Sequence, residues 1–96
     1  MTTTHETLDH TFSAPIGVDV KGEVWPCVEV PDARGLFGSL RAVRVDATVD
    51  GVVTLPNIGL MPTGGGSLML SLSARVRRTL GKDVGDVVTV HLARPA

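Results

Sequence analysis

The chain has 96 residues, a hydrophobic fraction of 43% and a net charge of −1, so it is long enough for one domain with its own core. This composition excludes wholesale disorder, and the single cysteine excludes an intramolecular disulfide and a cysteine-rich zinc site. A net charge close to zero also argues against a dedicated nucleic-acid binder.

The two ends of the chain differ in character from the segment between them. Residues 1–7 are polar, and we expect a flexible tail there, ahead of a single domain at residues 8–94. The first ten residues lack the apolar segment of a secretion signal, and no apolar run is long enough to span a bilayer. With the single cysteine, these features predict a cytoplasmic protein that does not contact membranes.

Two strands are predicted in the first third of the chain. Alternating apolar and polar side chains predict a strand over residues 8–14, and a second strand follows over residues 23–30. The segment between them, residues 15–22, is predicted to be a loop. Pro26 interrupts the second strand, and because proline cannot donate a ladder hydrogen bond, this strand is expected at a sheet edge or with a bulge.

Trp25 is the one side chain large enough to anchor a ligand or partner. Val24, Val28 and Val30 are expected on one face of the second strand, which places Trp25 on the opposite face. It can line a groove, lie at an interface or cover an open end of the folded sheet. We favour the last interpretation because tryptophan is usually largely buried.

A short helical turn and a third strand are predicted next. Residues 31–38 favour a turn of helix that ends at Gly38, because glycine adopts the left-handed conformation found just after helices. Residues 42–50 alternate more cleanly than any other segment and predict a strand. Its inward side chains are expected to be Val43, Val45, Ala47 and Val49.

A tight hairpin turn is predicted at Asp50 and Gly51. The type I′ turn that joins adjacent strands needs positive φ at both central positions, which this residue pair tolerates. The returning strand is expected over residues 52–58, and residues 62–67 form a glycine-rich loop.

The last third predicts a strand, a helix and a final strand. Residues 68–72 alternate as a strand does, and the hydroxyl of Ser73 can cap the helix that follows. Gly81 is suited to end that helix. The final strand is expected over residues 87–92.

A weak internal repeat relates the two halves of the chain. Each half is predicted to run strand, short helix, glycine, strand, and Gly38 and Gly81 mark equivalent points about 43 residues apart. Either the chain contains two similar halves that close one sheet together, or short aliphatic alternation recurs by coincidence.

The most distinctive stretch is an Arg-Arg-x-x-Gly-Lys-x-x-Gly-Asp-x-Val pattern over residues 77–88. With Leu60-Met61-Pro62, Asp50-Gly51 and Trp25 upstream, this chain resembles a bacterial domain-of-unknown-function family, number nineteen-oh-five, over residues 10–93. The resemblance implies a mainly β fold: a small double-split β-barrel of about six to seven mostly antiparallel strands, one or two short capping helices and pseudo-two-fold halves. It also implies a relation in fold to AbrB-like regulators and MazE-like antidotes.

The predicted helix near the C-terminus carries a cluster of positive charge. Residues 34–82 contain seven bases and two acids, whereas residues 1–33 contain six acids and one base. The cations of the helix are Arg75, Arg77, Arg78 and Lys82. With Trp25, they are the candidate binding residues, for a small anionic ligand or an acidic protein, unless they form only a solvated helix face.

DNA binding, by analogy with AbrB, is the alternative function. A two-fold DNA reader needs two matching basic elements. The equivalent helix of the first half offers only Arg34, beside Asp32, so nucleic acid is disfavoured.

Enzymatic activity is not expected. The three histidines and the cysteine are scattered, no Gly-x-Ser-x-Gly elbow is present, and the loop Gly64-Gly65-Gly66-Ser67 lacks the ending of a phosphate-binding loop. We therefore predict no catalytic residues, no metal and no cofactor. The protein is expected to be a non-enzymatic binding module, as a monomer or a homodimer.

Overall fold

A computed structural model describes residues 8–38 and 40–95; the predicted tail at residues 1–7 lies outside the described residues. The elements are β1 (Asp9–Val20), β2 (Glu23–Val30), α1 (Ala33–Phe37), β3 (Val43–Val49), β4 (Val53–Pro62), β5 (Leu68–Ser71), α2 (Ala74–Leu80) and β6 (Val87–Ala93). The strands pair in the order β1-β2-β5-β4-β3-β6, every pair is antiparallel, and β6 returns to β1, so the sheet closes on itself. The predicted mainly β class is confirmed.

The core fills the inside of the closed sheet. Its fully buried members are aliphatic, as the scarcity of aromatic residues requires: Ile16, Val28, Val30, Val45, Ala47, Val49, Leu60, Leu68, Leu70, Leu72, Val88, Val90 and Leu92. Each large one contributes roughly 1.5–3 kcal/mol by leaving water. Closure of the sheet buries the apolar inner faces of its strands against one another.

The hairpin between β3 and β4 is confirmed. Asp50 has φ 53° and Gly51 has φ 67°, and the amide of Val52 donates to the carbonyl of Val49 at 3.0 Å. The returning strand is longer than predicted and ends at Pro62. The added length arises because β4 pairs with β3 up to Leu60 and then with β5.

The predicted loop at residues 15–22 is wrong up to Val20, because β1 continues to that residue, and only Lys21 and Gly22 form a turn. Up to Pro15 this strand pairs with β6, and from Ile16 it pairs with β2. Gly17, at φ 136°, lies at the irregularity in the β1–β2 pairing. A proline is tolerated there because the strand exchanges partners at this point.

Pro26 lies in a bulge, one of the two predicted alternatives. Between the pairs Ile16–Val28 and Val18–Trp25, β2 contains one residue more than β1. Of the three valines expected on one face of β2, Val28 and Val30 are fully buried, whereas Val24 is exposed near the start of the strand.

Both short helices form where they were predicted. Gly38 ends α1 and Gly81 ends α2, each in the left-handed conformation. The hydroxyl of Ser73 accepts a hydrogen bond from the amide of Val76 at 3.2 Å and caps α2. In the described part of the chain, no helix has the length and apolar character needed to cross a membrane.

The strand pairing has an internal regularity. The set of neighbours is unchanged when β1 is exchanged with β4, β2 with β5 and β3 with β6. The connections β2–α1–β3 and β5–α2–β6 therefore occupy corresponding places in the closed sheet.

Candidate functional site

The two most enclosed cations near α2 are engaged within the fold. Arg77 Nη1 donates to the carbonyl of Leu72 at 2.5 Å, and its Nε lies 3.1 Å from Asp83 Oδ1 without an aligned hydrogen bond. Lys82 Nζ donates to the carbonyl of Val87 and pairs with Asp50 Oδ2, each at 2.7 Å. These two side chains hold the segment after α2 against the sheet.

The other two predicted cations of α2 are exposed. Among the described residues, no hydrogen bond or ion pair holds the side chain of Arg75 or Arg78. Arg78 borders a shallow depression that Asp83 and Asp86 also line. Positive and negative side chains therefore lie together at α2, and the electrostatic attraction of this surface for an anion is reduced.

Trp25 lies on the outside of the sheet, so the expectation that it covers an open end is wrong. Its side chain is 41% exposed and lines an outer cavity with Cys27 and Met61. The groove interpretation, one of the alternatives left open by the sequence, fits this position.

A second cleft is lined by three arginines and by apolar side chains. It has a volume of about 400 Å³ and lies where the end of α1, the start of β3 and the two ends of the described chain meet. Its apolar lining is Leu8, Phe37, Ala42, Val43, Val45 and Pro95, and its cations are Arg41, Arg44 and Arg94. We call these nine residues the arginine cleft.

One arginine of this cleft is oriented by β4. Arg44 Nη1 donates to the carbonyl of Asn57 at 2.8 Å, and the amide of Asn57 donates to Asp46 Oδ1 at 2.7 Å. Asn57 has φ 50°, so the irregular backbone at this point aims its carbonyl toward Arg44. A guanidinium has five N–H donors, and this contact uses one of them.

The other cations complete the rim of the cleft. Arg94 is exposed and has no ion-pair partner among the described residues, and Arg41 lines the same cleft. No acidic side chain of the described chain lines the cleft. No sequence pattern marks this site, because Arg94 is separated from the other two arginines by about half the chain.

This arrangement suits a ligand with one anionic end and one apolar end. Guanidinium groups form strong, often bidentate hydrogen bonds with carboxylates and phosphates. The apolar floor adds burial of hydrocarbon or aromatic surface.

The thiol of Cys27 and the imidazole of His91, which are side chains of types that often act in catalysis, lie outside the arginine cleft. Burial raises the pKa of the Cys27 thiol, against the opposing effects of a hydrogen bond with Ser71 and the charge of Arg77. His91 Nε2 lies 2.5 Å from Asp9 Oδ1 at an exposed position. Among the described residues, no three His, Cys, Asp or Glu side chains are grouped as metal ligands.

The geometry defines a small mainly β domain built on one closed antiparallel sheet with two short helices. The chain belongs to the family described as a domain of unknown function, DUF1905, which matches residues 12–92. The family resemblance seen in the sequence is thereby confirmed. No curated protein matches the chain.

Proposed function

We propose that this protein is a non-enzymatic binding module whose ligand is a small amphipathic anion held in the arginine cleft. The observation that supports the proposal is the meeting of three arginines over an apolar floor, with no acid among the described lining residues. A cleft of about 400 Å³ is within the usual range for small-molecule sites. The ligand class is a carboxylate or phosphate ester that carries an aliphatic or aromatic group.

The test is isothermal titration calorimetry with three probes: octanoate, phenyl phosphate and inorganic phosphate. Octanoate or phenyl phosphate should bind with a stoichiometry of one, and inorganic phosphate should bind at least about 10-fold more weakly because it leaves the apolar floor unfilled. Arg94→Gln should weaken binding by about 10-fold, the usual value of a charge-assisted hydrogen bond.

The control is the exposed pair on α2. The double variant Arg75→Gln and Arg78→Gln removes two positive charges outside the arginine cleft. It should leave the affinity for the organic anions unchanged. If neither organic anion binds, or if only the α2 variant loses binding, the assignment to the arginine cleft is overturned.

An acidic protein bound through α2 is the second candidate. It is favoured by the exposure of Arg75 and Arg78, whose side chains have no partner in the described chain. Because the acids Asp83 and Asp86 lie nearby, this candidate is less well supported than the small anion in the arginine cleft. A partner of this kind would be lost on the double change at α2 and retained in Arg94→Gln.

We also propose the finer fold relation, a double-split β-barrel with pseudo-two-fold halves that is related to AbrB-like and MazE-like proteins. The exchangeable strand pairing and the matching helix ends at Gly38 and Gly81 support it. The DNA-binding function of that group is less well supported, because α1 has Arg34 as its one base. Retardation of a DNA duplex that weakens steeply with salt would favour it over the small-anion proposal.

A further inference from the structure

Three of the four sulfur atoms of the chain lie around one cavity on the outside of the sheet. The chain has one cysteine and three methionines, and Cys27, Met61 and Met69 line this cavity. The remaining lining residues are Trp25, Pro62 and Ser71, and the volume is about 420 Å³. We call these six residues the sulfur cavity.

Strand register brings the three sulfur side chains together. Met61 on β4 faces Met69 on β5 as a direct cross-strand pair. On the other side of β5, Cys27 pairs with Ser71 and Glu29 with Met69, so Cys27 is the diagonal neighbour of Met69. Directly opposed and diagonal neighbours on one face are within reach of long side chains. The three residues therefore form a continuous row over three adjacent strands.

Burial in this row is graded from inside to outside. Cys27 is 2% exposed and Met69 6%, and the two pack in one cluster with Val18. Met61 is 53% exposed and stands with Trp25 at the rim. Two donors are thus shielded from water, while the third lies where a ligand would enter.

The donor set discriminates between metals. Thiolate and thioether sulfur are soft ligands that select Cu⁺, whereas Zn²⁺ in protein sites takes four Cys, His, Asp or Glu ligands, which this cavity lacks. A monovalent ion with one thiolate makes a neutral unit, which an apolar cavity accommodates at less cost than a net charge.

We propose that Cys27, Met61 and Met69 form a binding site for one soft monovalent metal ion, Cu⁺ or its analogue Ag⁺, in the cavity that Trp25 also lines. Binding breaks the S–H bond of Cys27, forms a metal–sulfur bond and releases one proton to solvent, with no change of oxidation state. Affinity should therefore rise with pH, about 10-fold per unit, as long as the free thiol is protonated.

The first experiment titrates the full chain with Ag⁺, which needs no reductant, and follows stoichiometry by native mass spectrometry. The fluorescence of Trp25, the single tryptophan of the chain, reports occupancy of the cavity. We expect one Ag⁺ per chain and a fluorescence change that saturates at the same ratio. Cu⁺ under anaerobic conditions with ascorbate should displace Ag⁺ or match its stoichiometry.

The decisive variants are Met61→Leu and Met69→Leu, which keep apolar volume but remove the thioether. Each should weaken Ag⁺ binding by at least about 10-fold, since loss of groups that merely support a metal ligand costs that much. Met61→Leu changes a half-exposed side chain, so it tests the proposal even if Cys27→Ser disturbs folding. Arg94→Gln, in the arginine cleft, is the control and should leave metal affinity unchanged.

Three results would overturn the proposal. One is a stoichiometry below one in a saturating excess of Ag⁺, and another is tighter binding of Zn²⁺ than of Ag⁺. The third is binding that Cys27→Ser abolishes while both leucine variants retain it, which would indicate an isolated thiol. None of these results bears on the amphipathic anion, whose binding Met61→Leu should leave intact.

Discussion

Asp50 connects the β3–β4 hairpin to the C-terminal part of the chain. Its Oδ1 accepts from the amide of Thr89 at 2.8 Å, its Oδ2 pairs with Lys82 at 2.7 Å, and its own amide donates to the carbonyl of Thr89 at 2.7 Å. The hydrogen bond from Lys82, then that from Thr89, lowers the pKa of the carboxyl below its ordinary value. A residue predicted from its turn conformation alone thus also joins distant strands.

We expect Asp50→Asn to lower the free energy of unfolding at neutral pH by about 1 kcal/mol, because the charge-assisted bonds are partly solvated. Asparagine tolerates positive φ, so the turn is retained. Because the pKa is lowered in the folded state, the stabilisation is present above the unfolded pKa, near 4, and is lost as pH falls through the folded value. Urea unfolding between pH 7 and pH 2 measures it, and a difference between the two proteins that persists at the lowest pH would contradict the argument.

Among the elements, β1 pairs with two different strands along its length, first with β6 and then with β2. The amide of Ile16 donates to the carbonyl of Asp86, and the amide of Gly85 donates to the carbonyl of Ile16, both at 2.8 Å. Beyond this point β1 bends into its pairing with β2, with Gly17 at φ 136°. The bend depends on a backbone conformation that residues with a Cβ rarely adopt.

Gly17→Ala should lower the free energy of unfolding by about 1–3 kcal/mol, the usual cost of backbone strain. Crowding is a smaller matter, because the added Cβ would lie 3.4 Å from Val84 and 3.5 Å from Val24, which is ordinary contact. Gly59→Ala in β4 is the matched control, since its φ is not positive and its surroundings are open. Chemical denaturation of both variants checks the difference, and equal costs would show that φ at Gly17 is not decisive.

At the scale of the whole molecule, closure depends on β6, which lies between β1 and β3. Leu92 on this strand is fully buried, opposite His10 of β1 on one side and Ala47 of β3 on the other. Removing its side chain opens the core at the seam where the sheet closes.

Leu92→Ala should therefore cost about 2–5 kcal/mol of the free energy of unfolding, the range for large-to-small changes in cores. Val52→Ala, at a position 64% exposed, should stay within about 0.5 kcal/mol of the wild type. Thermal or urea unfolding of the two variants measures the contrast. A cost at Leu92 no larger than that at Val52 would mean that the seam is not part of the cooperative core.

Local features of the fold could be predicted because their causes are local. The Asp50–Gly51 turn and the end of α2 at Gly81 follow from φ values that few residue types adopt. The extent of β1 could not, because residues 15–20 become strand only through hydrogen bonds with β6 and β2. Position in the folded sheet overrides the loop tendency of Pro15 and Gly17.

The candidate sites divide in the same way. The charge of Arg77 and Lys82 was visible in the sequence, but their engagement with Leu72, Asp83 and Asp50 was not. The arginine cleft and the sulfur cavity combine residues far apart in the chain, and no local pattern marks either.

The mainly β class, the tight turn, the helix ends and the family can be predicted from the sequence, because they depend on short-range conformational preference and on a distinctive run of residues. The exposure of each cation, the position of Trp25 and the side chains that share a cavity become visible only in the folded chain. Strand pairing is the cause, because it brings together residues that are far apart in the chain, such as Cys27 and Met69, and no short-range preference specifies which strands will be neighbours.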